Sequence, residues 1–119
     1  MADTSFYLIV HQTITPGGLE EFKACCQLGS AQAEASEAGT IGYQFFINDE
    51  GTESYLVEKY VDSESFLKHI AAVQPILQRA MKVSTLTKAV VLGDPNPEAR
   101  VALSNLGVAY YSECIGFCR

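Results

Sequence analysis

The sequence predicts a single α+β domain, because segments with the two-residue period of a strand alternate with segments of helical period. The chain has 119 residues, of which 48% are apolar, and this suffices for one modest hydrophobic core. Its net charge is −6. Nucleic-acid and membrane partners are therefore not expected, since phosphate backbones and anionic lipid surfaces both select for concentrated positive charge.

The N-terminal part of the chain predicts a strand followed by a helix. Residues 5–14, SFYLIVHQTI, are rich in β-branched and aromatic side chains, and Phe6, Leu8 and Val10 form the more apolar face of this strand. Thr15 and Pro16 predict the start of a helix that ends near residues 38–39. Glutamates, Glu37 among them, are expected on its wet side. Its buried stripe is predicted at spacings of three and four: Leu19, Phe22, Cys26, Gly29 and Ala33.

The middle of the chain predicts a hairpin and a second helix. Residues 40–48 and 53–61 read TIGYQFFIN and ESYLVEKYV, and the acidic, glycine-containing connection between them is typical of a hairpin turn. Asp62 or Ser63 is expected to cap the second helix, and Pro75 predicts a kink or break near residues 73–74. The buried stripe of this helix is predicted to comprise Phe66, Ile70, Val73, Leu77 and Ala80.

A fourth strand near residues 83–92 completes the order βαββαβ, which is the ferredoxin-like arrangement. We therefore expect a four-stranded antiparallel sheet with both helices on one face. Beyond this unit of residues 1–93, residues 94–119 predict an extension of the same domain. Asn96, Pro97 and Gly107 delimit a short helix there, and residues 108–117 read as a further strand. That strand either extends an edge of the sheet or crosses to a partner subunit.

The sheet face opposite the helices carries apolar side chains, including Tyr7 and Ile9, with His11 beside them. In a monomer these side chains would be open to water. Two sheets packed face to face would cover them, so a homodimer is expected.

The four cysteines predict buried or half-buried free thiols. Cys25 and Cys26 are adjacent, and Cys114 and Cys118 have a spacing that does not match a zinc ribbon, so no metal site is expected. The N-terminal stretch has neither the positive region nor the cleavage site of a signal peptide. A cytoplasmic location is therefore the expectation, and paired disulfides are not expected in that compartment.

Three stretches between Tyr7 and Leu92 resemble the antibiotic biosynthesis monooxygenase domain family, within the dimeric α+β barrel superfamily. TITPGGLEEF is similar to the family's Pro-Gly turn and acidic helix start, and EAGTIGYQFF to its entry into the second strand. SYLVEKYVDSESFLKHI resembles its strand exit, which is followed by a helix bearing one histidine. Because the superfamily includes oxygenases, haem degraders and isomerases, the resemblance is more specific for fold than for activity.

The resemblance implies a pocket between sheet and helices in which a small phenol or quinol is oxidised by dioxygen without any cofactor. Such chemistry requires a base and an apolar cavity. Haem degradation is disfavoured, since the first-strand asparagine of those members is replaced by Val10 or His11, the haem-ligand position falls near Arg79, and the chain has no tryptophan.

His69 is the predicted catalytic base, because histidine titrates near neutral pH. A helical rotation of about 100° per residue places it roughly 60° from Phe66, at the rim of the buried face. Glu58 and His11 are predicted supporting residues, with His11 directed towards the dimer interface. The predicted substrate-binding side chains are aromatic: Tyr43, Phe45, Tyr55 and Phe66.

Two further functions remain open from the sequence. The first is a dimer that binds a small aromatic or lipophilic ligand without catalysis. The second is a lactone isomerase, which would require a second acid–base group near His69. A structural role for His69, at the edge of the core, also remains open.

Overall fold

The computed structural model describes residues 3–119, and it contains the predicted order of elements. The strands and helices of the βαββαβ unit are β1 (Phe6–Ile14), α1 (Leu19–Ser36), β2 (Thr40–Ile47), β3 (Glu53–Tyr60), α2 (Ser63–Ala80) and β4 (Ser84–Leu92). They are followed by α3 (Pro97–Leu103), a 3₁₀ turn (Ser104–Leu106) and the short strand β5 (Ala109–Tyr111). The α+β, ferredoxin-like fold class is confirmed.

The sheet has five strands in the order β2-β3-β1-β4-β5, and it is mixed. β1 pairs antiparallel with both β3 and β4, whereas β5 joins β4 in parallel, with Val90 opposite Ala109. The expectation of a purely antiparallel four-stranded sheet is therefore wrong at this edge. α3 carries the chain back to the level of Val90, so that β5 runs alongside the end of β4 in the same direction.

The core lies between the sheet and the helices. Phe6, Leu8 and Val10 are buried, as predicted, and they pack with Tyr60 and other residues of the inner face. The alternate residues of β1 point to the outer face and are only half-buried or exposed. This alternation defines an inner face that carries the cavity described below and an outer face without helices.

α1 begins at Leu19, so the predicted start at Thr15 and Pro16 is wrong. The Gly18 amide donates to the Thr15 carbonyl at 2.9 Å, and Gly17 has φ +79°. This is the geometry of a type II turn, which favours proline and glycine at its two central positions. The Pro-Gly pair thus turns the chain before the helix begins. Within α1, Cys25 is buried and Cys26 half-buried, so the buried stripe of this helix passes through Cys25 and not, as expected, through Cys26.

α2 is capped as predicted, since the Asp62 carboxylate accepts from the Ser65 amide at 2.8 Å. The helix continues through Pro75 without a break, contrary to the expected interruption. Pro75 and Ala71 are both exposed, so the Ala71 carbonyl that proline leaves without a helical donor can be hydrated.

The C-terminal segment is tied to the rest of the domain by buried contacts. Ala99 and Leu103 of α3 are fully buried, and the Asn96 amide donates to Ser63 Oγ at the start of α2 at 2.9 Å. Gly107, at φ +63°, ends the 3₁₀ turn as predicted. β5 covers only residues 109–111 of the predicted strand, and it extends the edge formed by β4.

Candidate active site

His69 lies in the second turn of α2 and is 2% exposed. It is more deeply buried than the predicted rim position, because the buried face of α2 runs through Phe66, His69 and Val73. Its ring packs against two aromatic rings, with centroid distances of 4.9 Å to Tyr43 and 5.7 Å to Tyr60. A polar ring in such surroundings requires hydrogen-bond partners.

Glu37 provides the first partner. Its Oε1 lies 2.6 Å from His69 Nδ1, and its side chain is only 8% exposed. Gln32 Nε2 donates to the other carboxylate oxygen at 2.6 Å, and Thr40 Oγ1 donates to Oε1 at 2.8 Å. These donors hold the carboxylate in place, so Glu37 orients the imidazole ring through its Nδ1 atom.

The sequence prediction that Glu37 lies on the wet side of the helix is wrong. Glu37 is the C-cap of α1, with φ −124° and ψ +82°, so its side chain no longer follows the helical rotation. The chain turns there towards β2, and this brings the carboxylate over the inner face. A helical-wheel argument is valid only as far as Ser36, where the helix ends.

The Glu37 contact determines which nitrogen of His69 is available for chemistry. A carboxylate accepts a proton-bearing nitrogen, so Nδ1 carries the hydrogen of the neutral ring and Nε2 carries the lone pair. Nε2 is the nitrogen on the side of Glu58, whose Oε1 lies 3.8 Å away. His69 can therefore accept a proton at Nε2 while Glu37 stabilises the resulting imidazolium.

Glu58 lies on the inner face of β3 and is buried. Burial raises the pKa of Glu58 to about 7, and the negative charge of Glu37 acts in the same direction. The Tyr60 hydroxyl, which donates to Oε1 of Glu58, opposes this shift. Near neutral pH the carboxyl group is thus divided between its protonated and ionised forms, as a general acid requires.

A cavity of about 120 Å³ opens beside this cluster, between the inner face of the sheet and the two long helices. His69 and Glu58 form part of its wall, which is otherwise mainly apolar. An apolar cavity of roughly 150 Å³ accommodates a benzene ring. The space beside His69 therefore has the dimensions of a small aromatic ligand.

The predicted substrate-binding residues divide into three groups. Tyr43 and Phe45 line the cavity, edge to face with each other at 5.3 Å. Phe66 is fully buried and packs against Phe6 and Tyr60, so it supports the site as core. Tyr55 is 48% exposed on the outer face, because alternation along β3 directs it away from Glu58. The assignment of Tyr55 to the pocket is therefore corrected.

His11 lies on the outer face, as its position in β1 predicted. Its Nε2 is 2.7 Å from Glu53 Oε1, its Nδ1 contacts Thr87 Oγ1, and its ring packs against Tyr55. It takes no part in the cavity. The two histidines of the chain thus lie on opposite faces of the sheet.

Gln12 is a cavity residue that sequence reasoning missed. It continues the inward alternation of Leu8 and Val10 along β1, which pairs with β3 without a break, and this places its side chain at the cavity wall. Within residues 3–119, its buried Oε1 has no hydrogen-bond partner. A polar residue at an inward position of an otherwise apolar strand is the signal that could have indicated it.

The cysteines are free, as predicted, and the expected burial is confirmed for the first pair but wrong for the second. Cys25 and Cys26 are buried and half-buried, whereas Cys114 and Cys118 are exposed. Burial raises the pKa of Cys25, and that of Cys26 to about 12, so both stay protonated thiols. In the described part of the chain, no group of three histidine, cysteine or acidic side chains could hold a metal ion. Arg79, at the predicted haem-ligand position, instead pairs with Glu21.

No protein-family model and no curated protein matches the sequence. Solved structures match its fold. MupZ from Pseudomonas fluorescens has a TM-score of 0.83 at 22% identity, covering 97% of this chain and 94% of that one. SnoaB from Streptomyces nogalater, a cofactor-independent oxygenase, has a TM-score of 0.67 at 15% identity, covering 80% of this chain and 96% of that one.

A third similar structure, from Caulobacter crescentus, is provisionally assigned to the antibiotic biosynthesis monooxygenases. It has a TM-score of 0.66 at 15% identity and covers 75% of this chain and 86% of that one. The resemblance to this family is therefore confirmed at the level of the fold. The match to MupZ extends over the C-terminal helix and strand. No helix among residues 3–119 is both long enough and apolar enough to cross a bilayer.

Proposed function

We propose that the protein is a cofactor-independent monooxygenase that oxidises a small phenol or quinol with dioxygen, and that His69 accepts the phenolic proton. The observation that carries this proposal is the pairing of His69 with Glu37 at the wall of an apolar cavity. The oriented imidazole provides a base, and the cavity provides a dry space in which a phenolate can meet dioxygen.

The first step transfers the phenolic O–H proton to Nε2 of His69. The charge that remains on the substrate makes its ring electron-rich, so that a ring carbon can form a bond to dioxygen. The overall reaction converts a quinol and dioxygen into a hydroxyquinone and water. One oxygen atom enters the product and the other becomes water, so the substrate itself supplies all four electrons and no external reductant is consumed.

The cavity wall favours a flat apolar ring. Tyr43 and Phe45 contribute aromatic rings to the wall, and Val73 and Ile76 contribute aliphatic side chains from α2. Burial raises the pKa of Tyr43, which keeps its hydroxyl protonated and able to donate to a substrate oxygen. A volume of about 120 Å³ favours one ring over a polycyclic system.

Oxygen uptake with a panel of benzene- and naphthalene-diols tests the function directly. We expect uptake above the enzyme-free rate, and with ¹⁸O₂ one labelled atom in the product. A thermal shift on addition of these ligands, without uptake or label, would instead favour the non-catalytic binding protein of the same fold.

A second candidate is an isomerase that moves a proton within a small unsaturated lactone. One observation favours it: an isomerase needs a second acid–base group near His69, and the Glu58 carboxyl group lies 3.8 Å from Nε2. The two candidates differ in their need for dioxygen. Turnover of a lactone under anaerobic conditions would support the isomerase and exclude dioxygen as its co-substrate.

We also propose that the protein is a homodimer whose subunits pack through the outer face of the sheet. Apolar side chains from all four long strands lie on this face: Tyr7, Ile9, Phe46, Val57 and Val90. Sedimentation at micromolar concentration is expected to give a dimer for the wild type and a monomer for Val57→Asp. Gln78→Asp, on the exposed side of α2, is the matched control and should remain dimeric. A wild-type monomer would contradict the proposal.

A further inference from the structure

Glu58 is a carboxyl group on the cavity wall that proton abstraction by His69 leaves unused. It is buried, it lies 3.8 Å from His69 Nε2, and the Tyr60 hydroxyl donates to its Oε1. Among residues 3–119, the Glu58 carboxyl group makes no other hydrogen bond, so its Oε2 atom is available to carry a proton. A buried acid beside a base, both facing one cavity, is an arrangement for moving two protons.

We propose that Glu58 is a second catalytic residue, and that it supplies the protons with which the second oxygen atom of dioxygen leaves as water. This inference rests on the proposed monooxygenase function. It assigns to Glu58 the protonation of the departing oxygen, because His69 must return to its unprotonated form in order to remove the ring C–H proton.

For a quinol, two protons pass from the substrate through His69 and Glu58 to the departing oxygen atom. His69 takes a phenolic proton, a ring carbon bonds to dioxygen, and Glu58 protonates the terminal oxygen to give a hydroperoxide. His69 then passes its proton to the Glu58 carboxylate and becomes a base again. It removes the ring C–H proton, the electron pair of that bond forms the carbonyl, and the O–O bond breaks. Glu58 protonates the departing hydroxide, and a final transfer from His69 restores both groups.

The surroundings of Glu58 favour this use. The groups that face it are Glu37 from the end of α1, Tyr43 from β2, Tyr60 from β3 and His69 from α2. Burial and the charge of Glu37 raise the pKa of Glu58 to about 7, so a large fraction carries a proton at neutral pH. An ordinary surface glutamate would be almost fully ionised there.

The ratio of hydrogen peroxide released to dioxygen consumed tests the inference. Wild-type enzyme with 1,4-dihydroxybenzene or 1,4-dihydroxynaphthalene should release little peroxide. Glu58→Gln removes the acid. The imidazolium of His69 then protonates the bound peroxide, which leaves as the hydroperoxide anion while the second phenolic hydroxyl loses its proton, so that the products are a quinone and hydrogen peroxide. Peroxide should then approach the amount of dioxygen consumed. Glu53→Gln, an exposed glutamate on the same strand, is the control and should match the wild type.

Tyr60→Phe provides a second test that retains the acid. In the wild type, the peroxide yield is expected to rise near pH 7, where Glu58 loses its proton. The Tyr60 hydroxyl lowers the pKa of Glu58, so its removal should shift this rise to higher pH. Wild-type uptake with a peroxide yield that neither variant alters would overturn the role of Glu58 alone. Absence of wild-type uptake would overturn the monooxygenase proposal, and this inference with it.

Discussion

The two histidines of this chain make the same kind of contact on opposite faces of one sheet. His69 Nδ1 lies 2.6 Å from Glu37 on the inner face, and His11 Nε2 lies 2.7 Å from Glu53 on the outer face. Their surroundings differ: the inner pair is 2% and 8% exposed, and the outer pair 15% and 52%. Hydrogen-bond length therefore does not distinguish them, whereas burial and the neighbouring cavity do.

Burial also gives the inner pair a third member. Glu58 lies close to the free nitrogen of His69, while Thr87 occupies the corresponding side of His11. A hydroxyl partner satisfies His11 and leaves it without a proton donor of tuned acidity. The inner cluster combines a carboxylate, an imidazole and a second carboxyl group with a raised pKa, and this combination is what the outer pair lacks.

The largest expected effect on stability is the difference between removing Glu37 and removing Glu53, the two carboxylates that pair with histidines. Glu37→Ala removes one partner of a buried pair and should reduce the free energy of unfolding by about 4 kcal/mol. Glu53→Ala, at an exposed pair, should reduce it by less than about 1 kcal/mol. Urea denaturation of both variants measures the difference. Equal losses would show that burial does not distinguish the pairs.

The next effect is a pH dependence of the free energy of unfolding, caused by Glu58 on the inner face. Because the pKa of Glu58 is raised in the folded state from 4.5 to about 7, its stabilising contribution is complete below pH 4.5. It is then lost as pH rises towards 7, by roughly 3 kcal/mol in total. The wild type should therefore lose stability across this range relative to Glu58→Gln. Urea denaturation at several pH values checks this, and parallel curves for the two proteins would contradict it.

The smallest effect concerns the side-chain oxygen of Gln12. Gln12→Leu removes a buried acceptor that has no hydrogen-bond partner among residues 3–119, and it should stabilise the ligand-free protein by about 1 kcal/mol. Gln78→Leu, at an exposed site, should change stability by less than about 0.5 kcal/mol. Thermal unfolding of both variants is the measurement. Destabilisation by Gln12→Leu would indicate that the amide already has a partner.

The sequence was informative wherever a local pattern had no competitor. Alternation in β1 predicted that Phe6 and His11 lie on opposite faces, and the position before an apolar stripe narrowed the helix cap to Asp62 or Ser63, of which Asp62 is the cap. The start of α1 was missed because Pro16 and Gly17 fit a type II turn as well as a helix start.

The candidate site was predictable only in part. His69 was identified from its place on the helix, but a helical rotation gives direction and not depth, so its full burial was not foreseen. Glu37 was assigned to the wrong side because its direction is set by the turn after α1 and not by the helix. Its contact with His69 joins residues 32 positions apart, and no local pattern encodes such a pairing.

Under the proposed function, the buried histidine, and not the exposed one, is the base of an oxygen-dependent reaction. Initial rates of dioxygen uptake on one active quinol, compared for His69→Gln and His11→Gln, test it most directly. We expect His69→Gln to lower the rate by about 10²- to 10⁴-fold, with His11→Gln within about twofold of the wild type, since His11 lies outside the cavity. A His69→Gln enzyme as fast as the wild type would contradict the claim.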